Sequence, residues 1–210
     1  MKHDYKKGPL ERGPRGAFTR HSGPVTDIVE HYSWTVPDSG ADMRFIERIH
    51  VEQNGWNGVG YHYGVHEDGR ISYGRPEWAR GAHVRGLNDR KIGVMWFGGR
   101  KPGSQDGHDT RTPAQKAALA RLYADIKTRH PIERIRGHRD YVATQCPGYD
   151  VQAWRAKKKQ RPAQDAAPAV TPVTRPAPPV KETPKREHEG GWGALIGRIL
   201  SSIFGGRGNG

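Results

Sequence analysis

The stretch that decides the fold is residues 25–32, which read Val-Thr-Asp-Ile-Val-Glu-His-Tyr. Val25, Ile28, Val29 and Tyr32 give this short run an apolar, β-branched and aromatic character that predicts a strand. Residues 92–97 form a second apolar run of strand length, and residues 132–136 a third and shorter one. Helical segments lie between these runs. The chain is therefore predicted to be an α/β domain, with a mixed central β-sheet flanked by helices.

Three segments carry apolar residues at helical spacing: residues 43–54, 113–130 and 151–159. Asp42 is predicted to cap the first of these helices, because its side chain can accept a backbone hydrogen bond there. The second is predicted to begin at Thr112-Pro113-Ala114-Gln115, which combines an N-cap threonine, a first-turn proline and a glutamine that completes a capping box.

A hairpin is predicted where Asp68-Gly69 separates two strand-like segments, residues 59–66 and 70–74. If the first segment is one regular strand, Tyr61 and Tyr63 share a face and His62 points to the other. This alternation leaves His62 out of any site built around Tyr61.

The flanks differ from this central part in charge and composition. The net charge is +13, of which residues 1–24 carry +4, residues 25–154 only +2 and residues 155–210 +7. We predict a disordered, mobile basic arm at 1–24, a folded domain at 25–155 and a Pro/Lys-rich linker at 156–190. A near-neutral folded part without a binding motif argues against a nucleic-acid-binding protein, which concentrates its charge on the fold.

Residues 191–204 are predicted to form an amphipathic helix, and residues 205–210 a Gly-rich end. The apolar members of this segment follow an unbroken helical stripe: Trp192, Leu195, Ile196, Ile199, Leu200, Ile203 and Phe204. Thirteen residues span only about 20 Å as a helix, too short to cross a bilayer. The stripe instead fits a helix on an anionic membrane or outer-membrane surface. Docking on its own domain or self-association is the alternative.

His31, His138 and the single cysteine, Cys146, are candidate metal ligands. Zinc takes nitrogen and sulfur ligands of this kind, and His31 lies at the end of a strand, where side chains converge on a site. Spacing alone leaves the alternatives open. A lone cysteine is more often a small buried apolar residue, and a strand-end histidine is more often capped or exposed.

Several motifs taken together resemble the zinc N-acetylmuramoyl-L-alanine amidases with a type 2 amidase domain, a superfamily that includes phage lysozymes and peptidoglycan recognition proteins. These motifs are residues 28–35, 53–63, 68–70, 80–83 with Asn88, 92–94 with 98–99, 137–138 and 144–148. They occur in one order across residues 25–155. No single motif is specific, but their combination is.

The resemblance implies that His31, His138 and Cys146 hold Zn²⁺, with a water at the fourth position. It implies that Tyr61 is a catalytic tyrosine, which orients the attacking water or stabilises the developing oxyanion. Thr144 stands where many family members have a catalytic lysine. A hydroxyl there can donate a hydrogen bond but carries no charge.

Three further residues are predicted from the resemblance and from their residue type to bind substrate: His83, Trp34 and Asn88. His83 matches a histidine near the substrate cleft of the family, which implies a binding or secondary catalytic role, with a purely structural role as the alternative. Trp34 is of the type that lines sugar-binding grooves, although tryptophans also pack in cores.

The family resemblance implies a peptidoglycan hydrolase that cuts the amide between N-acetylmuramic acid and L-alanine, acting as a monomer. The first 30 residues lack an apolar signal-peptide segment. We therefore expect a phage endolysin made in the host cytoplasm, released through a holin-type lesion and active on the cell wall in the periplasm. A non-catalytic peptidoglycan-binding module and a cytoplasmic muropeptide-recycling amidase are the alternatives.

Overall fold

The computed structural model describes residues 4–160, which lie in one compact unit. Five strands and three helices form it, in the following order along the chain: β1 (Asp27–Tyr32), α1 (Met43–Arg48), β2 (Tyr63–Val65), β3 (Ile71–Tyr73), β4 (Lys91–Trp96), α2 (Pro113–Arg129), β5 (Arg134–Gly137) and α3 (Val151–Gln160). A π-helical turn, Ile49–Gln53, continues α1, and a 3₁₀ turn, His138–Asp140, follows β5. The predicted α/β fold with a mixed central sheet is confirmed.

The strands form one sheet in the order β3-β2-β4-β1-β5. Strand β1 is parallel to both of its neighbours, β4 and β5, and β2 is parallel to β4. Only β3 runs antiparallel, because it forms the predicted hairpin with β2 across Asp68-Gly69. Gly69 has φ +82, a conformation that glycine adopts without strain. Because β1 and β5 are neighbouring parallel strands, their carboxyl ends lie side by side at one end of the sheet.

Both predicted helix starts are confirmed in atomic detail. The Asp42 side chain accepts a hydrogen bond from the Phe45 amide at 2.9 Å. Thr112 accepts one from the Gln115 amide at 3.0 Å, and the Gln115 side chain accepts one from the Thr112 amide at 3.0 Å. The capping box satisfies amides that have no partner inside the helix, and it starts α2 at Pro113.

Each face of the sheet has its own apolar core. On one face, α2 packs Leu119 and Tyr123 against Ile28 of β1 and Trp96 of β4. On the other face, Met95 and Phe97 pack with Met43 and Ile46 of α1. Because successive residues of β1 point to opposite faces, Glu30 faces the α2 side and His31 faces the α1 side.

The prediction that residues 1–24 form a mobile arm is wrong for the described part of this segment. Tyr5, Leu10 and Phe18 are each less than 8% exposed and belong to the core on the α1 side. The Leu10 amide donates to the Gly74 carbonyl at 2.8 Å, and the Arg75 guanidinium lies 4.7 Å from the centre of the Phe18 ring. Three apolar side chains are enough to fix this basic, Gly- and Pro-rich segment on the domain.

The predicted last helix, residues 151–159, is confirmed as α3, which continues past the predicted domain boundary at residue 155 to Gln160. Residues 156–160 of the predicted linker, 156–190, thus belong to this helix. Most of that linker, the amphipathic segment 191–204 and the Gly-rich end lie outside the described residues. Within residues 4–160, no helix is both long and apolar enough to span a membrane.

The strand predicted over residues 59–66 is regular only at its second half. β2 covers Tyr63–Val65, whereas residues 59–62 are irregular. As a result, Tyr63 packs in the core on the α2 side, and Tyr61 packs against the core on the α1 side. The prediction that these two tyrosines share a face is wrong. The irregular segment is what places Tyr61 on the same side of the sheet as His31.

Candidate metal centre

His31, His138 and Cys146 converge at the edge of the sheet. His31 is the fifth residue of β1, His138 directly follows β5, and Cys146 lies in the loop before α3. One ligand atom of each residue lies within 4.8 Å of those of the other two. Cys146 Sγ is 3.7 Å from His31 Nδ1, and the His31 and His138 ring centres are 4.6 Å apart.

These residues fit a zinc ion in both chemistry and spacing. Ordinary zinc bond lengths place a nitrogen and a sulfur ligand about 3.6 Å apart around a tetrahedral ion. The 3.7 Å between Nδ1 and Sγ agrees with this value. Three protein ligands are also the number that leaves one position open, which is typical of catalytic zinc and not of structural zinc.

The electrostatics of the site favour neutral imidazoles. Burial lowers the pKa of His138 to about 4 and lowers the pKa of His31 well below its usual range. Both rings therefore have a free lone pair at neutral pH. Burial raises the pKa of the Cys146 thiol, and the Tyr32 amide, which donates to Sγ at 3.4 Å, opposes that rise. Metal binding would displace the thiol proton, since the thiolate is the ligand.

Tyr61 lies against the cluster, with its ring centre 5.1 Å from that of His31. Burial raises the pKa of Tyr61, so the phenol keeps its proton and remains a hydrogen-bond donor at neutral pH. Within residues 4–160, no hydrogen bond uses its hydroxyl. Tyr61 thus lies beside the candidate ligands, and its catalytic role stays a prediction.

Thr144 lies in the loop that carries Cys146. Its Oγ1 accepts a hydrogen bond from the Cys146 amide at 3.3 Å. The hydroxyl proton is not used in that bond, because the hydroxyl acts as acceptor. Thr144 therefore shapes the cysteine loop and keeps one donor, and its catalytic role stays a prediction.

The three predicted substrate-binding residues occupy different surroundings. His83 is buried, with Nδ1 3.1 Å from His31 Nε2. The Asn88 side-chain oxygen accepts from the amides of His83 and Val84 at 2.7 and 2.8 Å. Trp34 is buried with φ +56, and the Arg100 guanidinium lies 5.4 Å from its ring centre. Substrate contact by these residues stays a prediction, but His83 and Asn88 have clear local partners within the protein.

A buried ionic network on the α2 side was not predicted from the sequence. Glu30 Oε1 lies 3.4 Å from Arg111 Nη1 and also accepts from Tyr149, while Oε2 accepts from Tyr123. Burial raises the pKa of Glu30, and Arg111 opposes that rise. The available signal was a glutamate directly after the apolar pair Ile28-Val29 of a predicted strand, since a buried carboxylate requires partners.

The fold and this site together are typical of a metal-dependent hydrolase. Residues 21–149 match the sequence profile of the N-acetylmuramoyl-L-alanine amidase family. This match covers more than half of the chain and includes all three candidate ligands. The chain therefore belongs to the N-acetylmuramoyl-L-alanine amidase family.

Phage endolysins and a solved amidase structure resemble the chain over most of their own length. The endolysin of Enterobacteria phage T3 is 35% identical over 133 residues, which cover 63% of this chain and 86% of that protein. The endolysin of Klebsiella phage KP32 is 33% identical over 143 residues, covering 68% and 92%. Among solved structures, the amidase LysC from Clostridium intestinale aligns with a TM-score of 0.55 and 29% identity, covering 68% of this chain and 93% of that one.

Proposed function

We propose that this protein hydrolyses the amide bond between N-acetylmuramic acid and L-alanine in peptidoglycan, and that it requires Zn²⁺ held by His31, His138 and Cys146. The observation that carries the proposal is the convergence of two neutral imidazoles and one cysteine within 4.8 Å, with Tyr61 beside them. Membership of the amidase family supports the reaction, and the donor set supports the metal.

The side chains of the site have separable tasks in this reaction. When bound, zinc would polarise the amide carbonyl and lower the pKa of a water molecule. The Tyr61 hydroxyl would donate a hydrogen bond to the oxygen on which negative charge develops, a task that suits a phenol kept protonated by burial. The Thr144 hydroxyl would add a second, neutral donor from the cysteine loop.

We infer that the biological setting is lysis of a bacterial host. The relatives from phages T3 and KP32 are endolysins. The proposal is that the enzyme is made in the host cytoplasm, passes through a holin-type lesion and acts as a monomer on the cell wall in the periplasm. The apolar stripe of residues 191–204 supports an additional contact with an anionic membrane or outer-membrane surface.

The test combines a metal assay with a product assay. Purified wild-type protein is expected to contain zinc and to release new L-alanine amino termini from isolated peptidoglycan. Cys146→Ser is expected to lose most of both, because serine is a poor zinc ligand. Full zinc content and full rate in this variant would contradict the ligand assignment. Binding of peptidoglycan by the wild type without release of amino termini would instead favour the non-catalytic recognition module.

A further inference from the structure

His31 has a second buried histidine on the side away from Cys146. Its Nδ1 faces Cys146 Sγ at 3.7 Å, and its Nε2 faces His83 Nδ1 at 3.1 Å. A neutral imidazole carries one N–H. If Nδ1 binds the metal, the proton must lie on Nε2, and it then points at the His83 ring nitrogen. A buried N–H without an acceptor is unfavourable, so an acceptor at this position stabilises the tautomer.

The surroundings of His83 hold its ring in one place. A Cβ added to Gly93 would lie 2.5 Å from His83 Cδ2, and one added to Gly81 would lie 2.4 Å from the same atom. Such distances are shorter than any real contact, so the ring fills a slot that only glycine leaves open on both sides. The Asn88 side chain fixes the backbone at the same point by accepting the His83 amide.

If Nδ1 is the acceptor, the proton of His83 lies on Nε2. This nitrogen is buried and makes no hydrogen bond of ordinary geometry within residues 4–160. The Lys91 backbone acts to raise the pKa of His83, which is the direction expected when a carbonyl faces a ring N–H. The chain of contacts therefore runs from the Asn88 side chain through the His83 backbone and ring to His31.

We propose that His83 is a positioning residue: its Nδ1 accepts the Nε2–H of His31 and so fixes the tautomer and the ring orientation in which His31 presents Nδ1 to the metal. Metal-ligating histidines usually donate their other ring N–H to a carboxylate, a backbone carbonyl or water, and these bonds tune metal affinity. Here a histidine nitrogen takes the place of that acceptor. The inference rests on the proposed metal role of His31. It gives His83 a task different from the substrate binding expected from the sequence.

Two substitutions separate the acceptor from the packing of the ring. His83→Phe keeps a planar ring and removes the acceptor, whereas His83→Asn loses the ring and keeps an oxygen at the δ position. His66→Phe is the matched control, because His66 is a buried histidine that bonds Ser72 at 2.7 Å and stacks on Phe97. Circular dichroism first shows that each full-length variant is folded, and chelator competition then gives its zinc Kd.

We expect His83→Phe to weaken zinc binding by about 10–100-fold, the usual effect of losing such a partner. His83→Asn should restore most of the affinity, and His66→Phe should bind zinc as the wild type does. A folded His83→Phe with wild-type Kd would overturn the proposal. A larger loss in His83→Asn than in His83→Phe would overturn it too, because it would show that ring packing matters more than the acceptor.

A measurement on the wild type covers the case in which His83→Phe does not fold. In zinc-loaded protein labelled with ¹⁵N, the His31 Nε2 proton should be protected from exchange. A coupling across the hydrogen bond should link His31 Nε2 to His83 Nδ1. A proton on His83 Nδ1 instead would overturn the assignment. Wild-type protein that binds no zinc at all would overturn the metal site itself, which is a different result from zinc binding that is indifferent to residue 83.

Discussion

Tyr61→Phe removes one hydroxyl and leaves the ring in place. The ring centre is 5.1 Å from that of His31, and no hydrogen bond within residues 4–160 uses the hydroxyl. We therefore expect the melting temperature and the zinc content to stay near those of the wild type. The turnover number should fall by about 10²–10³, or about 2.7–4 kcal/mol of transition-state stabilisation, if the hydroxyl acts as one oxyanion donor.

Tyr63→Phe is the matched control, because it also removes a tyrosine hydroxyl, at a position two residues from Tyr61. The Tyr63 hydroxyl donates to Glu77 Oε1 at 2.6 Å on the other side of the sheet. A hydrogen bond to a charged group contributes about 1.5–3 kcal/mol. Its loss should lower the melting temperature by several degrees, while turnover stays unchanged.

The two variants should therefore show opposite effects in two assays. Turnover is measured as release of L-alanine amino termini from purified sacculi at saturating substrate, and stability is measured by thermal unfolding. The reasoning is refuted if zinc-loaded Tyr61→Phe turns over at the wild-type rate. It is also refuted if both variants lose turnover to the same extent, since the position of Tyr61 beside His31 would then be irrelevant.

Three further predictions concern the stability of the domain and the role of the tail. Phe18→Ala should destabilise the protein by about 3–5 kcal/mol in denaturant unfolding, because Phe18 is only 7% exposed; a mobile arm would give no change. Burial alone would raise the Glu77 pKa, but hydrogen bonds from Arg129, Tyr63 and His130 lower it to about 2. Glu77→Gln should therefore cost on the order of 2–3 kcal/mol above about pH 4.5, a difference that disappears as the pH falls toward 2; a constant difference would exclude this linkage. Deletion of residues 190–210 should leave hydrolysis of isolated peptidoglycan intact and reduce co-sedimentation with anionic vesicles, and equal sedimentation would count against a membrane contact.

Local signals in the sequence predicted most of the regular structure. The capping box at Thr112, the cap at Asp42 and the turn at Asp68-Gly69 each involve residues within three positions of one another, so the sequence itself contains both partners. The prediction of a strand at residues 59–62 was wrong because the conformation of this segment depends on contacts that are not local. Its path depends on distant partners: the Gly60 amide donates to His50 Nδ1, and the His62 amide donates to the Gly93 carbonyl.

The N-terminal segment shows where composition misleads. Residues 1–24 are basic and rich in glycine and proline, which is typical of disordered chains. What fixes them is the burial of Tyr5, Leu10 and Phe18, whose irregular spacing matches neither a helix nor a strand. Their partners, such as Arg75 and Gly74, are more than 50 positions away, so no local pattern could show the contact.

The sequence singled out His31, His138 and Cys146 as candidate ligands, and the structure brings them together; the residues that support them were not predicted, and β1 connects the two groups. His31 and Glu30 are neighbours on opposite faces of this strand. On the far face, Glu30 binds Tyr149, which lies three residues after Cys146, and the Arg111 guanidinium lies 3.4 Å from the centre of the Tyr149 ring. Strand β1 therefore carries one candidate ligand, His31, and contacts the loop of another, Cys146, through the buried carboxylate of Glu30. The separation of His31 Nδ1 and Cys146 Sγ is thus set by two adjacent residues of β1. Substitutions in the buried ionic network on the α2 side should therefore change the metal affinity even though they alter no candidate ligand.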